Sequence, residues 1–82
     1  MSGWAFAFPP RVEAVDDKSG EIRFRISLNE SGLVDSLHIL SSTVSSKQEK
    51  LCYQALANAK FVKTLPEAKR GSGFYTFRFI YR

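Results

Sequence analysis

Polar and apolar residues alternate most strictly over Glu21–Leu28 (EIRFRISL), with Ile22, Phe24, Ile26 and Leu28 on one side and Glu21, Arg23, Arg25 and Ser27 on the other. A period of two over this length predicts a β-strand with one buried face. The turn Asp16-Asp17-Lys18-Ser19-Gly20 precedes it, and Asn29-Glu30-Ser31-Gly32 follows as a hairpin loop, with Gly32 suited to a positive φ. The return strand is predicted over residues 33–41. Leu37 and Ile39 want the core there, and so does Val34, which is out of phase, so a bulge is expected near Asp35-Ser36. Ser46 and Glu49 then stand at capping-box spacing. A helix is expected from about Lys47 to Lys60, with Leu51, Cys52, Ala55, Leu56 and Ala59 as its apolar stripe and Phe61 and Val62 continuing the burial.

Residues 64–73 read as a loop, with Pro66 early and Gly71-Ser72-Gly73 late. The last strand, residues 74–82 (FYTFRFIYR), places Tyr75, Phe77, Phe79 and Tyr81 on one face and Phe74, Thr76, Arg78 and Ile80 on the other. At the other end, Trp4-Ala5-Phe6-Ala7-Phe8 alternates large and small before Pro9-Pro10, which predicts an extended arm. Trp4, Phe6 and Phe8 are expected as a lid over the end or outer face of the sheet, because three exposed aromatics invite aggregation.

These elements predict one α+β domain over residues 1–82, an arm over 1–18 followed by a ββαβ core over 19–82. The helix must run back across the buried face, so the final strand returns beside the first through a right-handed crossover. The result is a three-stranded antiparallel sheet in the order second–first–third, with the one main helix on one face. Two sheet edges stay open. The C-terminal one is long, aromatic and free of proline, and an open edge must be covered or used. Phe74, Tyr75, Thr76, Phe77, Arg78, Phe79, Ile80 and Tyr81 are therefore the expected partner-binding residues, with Lys69, Arg70 and Trp4 as secondary contacts.

Composition narrows the function. The 82 residues suffice for one domain, and a hydrophobic share of 44% argues against disorder. No apolar run could span a bilayer. The single cysteine, Cys52, excludes an internal disulfide and a cysteine-based metal cluster. A net charge of +4 permits an acidic partner. Converging catalytic groups are missing: His38 falls on the outward phase of a strand, Cys52 on an apolar stripe, and the carboxylates Asp16-Asp17 in a turn. No catalytic residue, metal or cofactor is expected. Residues 70–77 (RGSGFYTF) look like the third-strand signature of the RNA-recognition motif, and Arg23, Arg25, His38, Arg78 and Phe74 would share the outer face. Ser72 stands where the first stacking aromatic belongs, Phe24 points inward, and the helix and strand that should follow the signature are not seen. Nucleic acid is not the expected partner, and RNA binding stands as an alternative.

With the elements placed, the chain resembles the C-terminal domain of TonB-type energy transducers over roughly residues 3–81. Residues 19–26 (SGEIRFRI) look like the family's opening strand, 29–35 (NESGLVD) like its polar hairpin, and Ile39-Leu40-Ser41-Ser42 like its serine-ended second strand. Ala55-Leu56 with Ala59-Lys60-Phe61 resembles the helix end, although the family often has an aromatic where Ala59 stands. Residues 73–80 resemble the closing strand, and Gly3-Trp4 with Pro9-Pro10 the entry segment of one branch. The resemblance implies a periplasmic domain tied to an inner-membrane motor through an upstream anchor and spacer, which this sequence would lack. Its partner would be an outer-membrane receptor, gripped by the extended TonB box peptide and pulled open for import of nutrients such as siderophores. A TonB-like domain of a membrane sensor or regulator, or a TolA-like adaptor, is the alternative within the same resemblance. A monomer and an edge-paired or swapped homodimer both remain open.

Overall fold

A computed structural model describes residues 3–15 and 18–80. Its elements are β1 (Trp4–Phe6), β2 (Gly20–Leu28), β3 (Val34–Ser42), α1 (Ser46–Ala57), β4 (Phe61–Lys63) and β5 (Gly71–Phe79). The fold is α+β. The main sheet is antiparallel in the order β3-β2-β5, which is the expected second–first–third arrangement, and β1 and β4 form a second, two-stranded sheet. Tyr81 and the Asp16-Asp17 pair lie outside the described residues.

The alternation along β2 is what places it in the centre. Ile22, Phe24, Ile26 and Leu28 are fully buried, while Glu21, Arg23 and Arg25 face solvent. Each such side chain contributes roughly 1.5–3 kcal/mol on burial, so this one row carries a large part of the core. Leu56 and Cys52 from α1 and Phe77 from β5 close over it. The hairpin after β2 turns through Gly32 at φ +83°. The Asn29 Oδ1 accepts from the Ser31 and Leu33 amides at 2.9 and 3.1 Å, holding the loop closed.

Four expectations are corrected. First, β3 carries two bulges. The register runs Ser27↔Ser36 and Leu28↔Val34, leaving Asp35 extra as expected, but it also slips between Arg23↔Ser41 and Phe24↔Ile39, leaving Leu40 extra. Val34 and Leu37 pack partly against the core, whereas Ile39 is 41% exposed at the sheet edge.

Second, α1 is shorter than its pattern and begins elsewhere. The N-cap is Ser45, whose Oγ accepts from the Gln48 amide at 3.2 Å. Glu49 does not close a capping box; it accepts from Ser42 Oγ at 2.6 Å and ties the helix to β3. The buried stripe is Gln48, Cys52 and Leu56, with Leu51 exposed. Asn58 ends the helix, its side chain donating to the Gln54 carbonyl at 2.9 Å.

Third, ending there frees Phe61–Lys63 to pair with the arm, in the register Trp4↔Lys63, Ala5↔Val62, Phe6↔Phe61. Trp4 and Phe61 are buried, and Phe6 lies 4.4 Å from Phe61 and edge-on to Tyr75 at 5.1 Å. The lid therefore consists of Trp4 and Phe6, and it covers the inner side; Phe8 is 82% exposed and takes no part in it. Val62 is exposed as well.

Fourth, Gly71-Ser72-Gly73 is strand, not loop. β5 pairs with β2 along its whole length, from Gly20↔Phe79 to Leu28↔Gly71. A Cβ at Gly71 would come within 2.6 Å of the Trp4 indole, so the glycine is there for close approach of a ring.

Candidate functional site

The expected binding strand is an edge. β5 hydrogen-bonds to β2 on one side only, and no strand among the described residues pairs with its other side. Phe74, Thr76, Arg78 and Ile80 lie exposed on the outer side of the chain, while Tyr75, Phe77 and Phe79 point to the inner face. The inner rings form a continuous aromatic row. Tyr75 meets Phe77 edge-on at 5.0 Å, Phe77 stacks on Phe79 at 6.5 Å, and Phe24 meets Phe77 edge-on at 6.1 Å. These ring contacts pack the inner face of the strand against the core, which reduces the ordering that binding would require.

The charged neighbours of this edge are largely spoken for. Arg78 pairs with Glu21 across the strands, both its Nε and Nη2 lying 3.3 Å from Glu21 Oε2. Arg70 pairs with Asp35 at 2.6 Å. Arg23 places its guanidinium 4.9 Å above the ring of Phe74, so the most exposed aromatic of the outer face already has a cation on it. Lys69 is exposed. Trp4, expected as a secondary contact, is buried to 5% and lies under Gly71, where a partner cannot reach its ring. Its Nε1 donor is buried without a hydrogen-bond partner.

Sequence reading missed the segment that lies along this strand. The helix covers the β3 side of the inner face. Along the β5 side runs the arm: Phe8, Pro10 and Arg11 face Ala55, Asn58 and Ala59 across one open cleft, and Pro10–Glu13 face Phe77, Arg78 and Phe79 across another. Val12 packs against the core. The arm is held by Gln48, the buried polar residue of the helix stripe. Its Oε1 accepts from the Val15 amide at 2.8 Å and its Nε2 donates to the Glu13 carbonyl at 3.1 Å. A glutamine four residues before Cys52 on an apolar stripe was the available signal, together with the Ser45–Gln48 cap spacing.

The chemistry-bearing side chains are dispersed. His38 Nε2 lies 3.1 Å from Ser36 Oγ on the exposed face of β3. Cys52 is fully buried, and that burial pushes its thiol above its ordinary pKa, with the nearby Glu49 charge adding to the rise. A buried, neutral thiol is a poor nucleophile. Among the described residues no three His, Cys, Asp or Glu side chains are grouped to hold a metal ion. No helix there is long and apolar enough to cross a membrane.

Comparison with known proteins decides the fold. No family model and no curated protein matches the sequence. The structure, by contrast, has a likeness: the solution NMR structure of the Pseudomonas aeruginosa TonB C-terminal domain superposes with a TM-score of 0.73, over 98% of this chain and 88% of that one, at 18% identity. The fold is that of a TonB C-terminal domain. The likeness extends over nearly the whole chain, so the arm and the β1–β4 sheet are inside the shared architecture and not an appendage to it.

Proposed function

We propose that this TonB-like domain binds an extended peptide by adding it as a strand to the free edge of β5, over Phe74–Ile80 and on to Tyr81. The peptide is the TonB box of an outer-membrane receptor. The domain works in the periplasm, and an upstream anchor connects it to an inner-membrane motor driven by the proton gradient. The observation that carries this reading is the edge itself. β5 spans nine residues without a proline, lies in continuous register with β2 and has a side that no strand among the described residues pairs with. The opposite edge, β3, is broken by two register slips and is a poor template.

Strand addition suits such a partner. Backbone pairing satisfies polar groups on both chains and tolerates many peptide sequences, while alternate side chains add selectivity. A peptide pulled along its axis loads the ladder hydrogen bonds together, so modest affinity suffices to transmit force. With Arg70 and Arg78 already paired, their role is to steer a partner more than to anchor it. An NMR titration with synthetic TonB box peptides tests the proposal. Amide shifts should cluster over residues 71–80 and disappear when a proline is placed mid-peptide. Shifts confined to Trp4–Phe8 would rule out pairing on β5.

A further inference from the structure

We infer that residues 8–15 form a strap over the inner side of β5, latched by Gln48, and that the strap sets how readily an extended peptide gains the edge; this rests on the strand-addition reading above. The strap is fixed at two points. At one end the Ala7 amide donates to the Lys60 carbonyl at 2.9 Å, closing the β1–β4 sheet. At the other, the two Gln48 hydrogen bonds grip Glu13 and Val15. Between these points the strap makes no regular structure, and no backbone hydrogen bond among the described residues joins it to β5.

Its sequence explains why it covers the strand without completing the ladder. Pro9 and Pro10 have no N–H to give, and proline at successive positions is unsuited to a paired strand. What keeps the strap down is the Val12 side chain and one glutamine amide. Gln48 is 2% exposed, and each of its amide groups is satisfied by strap backbone. Both strap bonds come from this one buried amide, which also hydrogen-bonds the Cys52 thiol, so lifting the strap would break the two together and leave the amide to water and to Cys52.

The strap lies where a bound peptide needs room. A strand added to β5 carries alternate side chains to the inner face. Beside Phe77 and Phe79 that space is bounded by Pro10–Glu13. Large inward side chains of the peptide therefore displace the strap, and small ones pass beneath its flank. The apparent affinity is the intrinsic affinity scaled by the fraction of molecules with the strap lifted.

The experiment compares the whole chain with its Gln48→Met variant, which keeps the length of the side chain and removes both strap bonds. Each protein is titrated by calorimetry with one TonB box peptide and with the same peptide carrying alanine at every inward position. The variant should bind the parent peptide about fivefold to tenfold more tightly, the worth of modest net hydrogen bonds, and should bind the alanine peptide much as the unaltered protein does. In the unaltered protein, saturating parent peptide should move the Val15 amide and Gln48 side-chain amide resonances. That second readout stands even if the variant fails to fold. Equal affinities, or Val15 and Gln48 signals that stay fixed while β5 amides shift, would overturn the strap and leave strand addition intact. Absence of binding by either peptide to either protein would overturn both.

Discussion

Gly71 shows how a single position is set by a partner far away in the chain. Read along the sequence it belongs to a flexible glycine-serine run; in the fold it is the bed for the Trp4 indole. Gly71→Ala should cost about 1–3 kcal/mol through overpacking, measured as a lower midpoint in urea unfolding followed by Trp4 fluorescence. Cys52 is the opposite case, legible from its place on an apolar stripe. Burial raises its thiol pKa above the ordinary 9.0, against a lowering by its hydrogen bond with the Gln48 side chain and with a smaller rise from the Glu49 charge. The folded state therefore holds the proton that the unfolded state releases. This contribution is complete below about pH 9, and it is lost as pH rises from there through the folded-state value. Unfolding free energy should decline above that pH, and more steeply than in Cys52→Ala. Gln48 stood out as a polar residue on an apolar stripe, but its partners could not be read, because Glu13 and Val15 lie 35 and 33 positions away and offer only backbone groups.

Elements with their own periodicity could be read, and elements defined by a neighbour could not. The buried row of β2 and the two faces of β5 followed from alternation alone, and the order of the three long strands followed from their chain order. β4 is three residues long, too short for a period to show, and exists because β1 offers it a ladder. The second bulge in β3 is likewise a compromise with β2 and leaves no local trace. At the start of the helix two serines compete, and pattern chose the wrong one. Ser45→Ala should lose about 1 kcal/mol because the Gln48 amide loses its acceptor, whereas Ser46→Ala should be close to neutral. Thermal or urea unfolding of the two variants separates them. Because Gln48 is both the capped residue and the latch, the Ser45 variant should also loosen the arm, seen as a shift of the Val15 amide.

At the scale of the whole molecule, the domain is a rod of 43 × 20 × 17 Å. Its surface ion pairs, Arg70–Asp35 and Arg78–Glu21, are exposed, so breaking either should change stability by less than about 1 kcal/mol. Arg78→Ala should instead slow peptide association at low salt and converge with the unaltered protein at high salt, as stopped-flow measurements can show. The fold was readable at this scale because the order of strands and helix followed from alternation and turn signals, and it matches a TonB C-terminal fold at 18% identity, whereas the strap was not, since nothing in an irregular segment announces which surface it will lie along. The two bulges of β3 bear on stoichiometry. A protein with two straight edges could join head to tail without limit into a filament. In the main sheet one edge is continuous and the other interrupted, so copies that pair through β5 would present the interrupted β3 edge outward, a poor template for a third member. Any self-association that sedimentation detects at rising concentration should therefore stop at a two-copy species, however much protein is loaded.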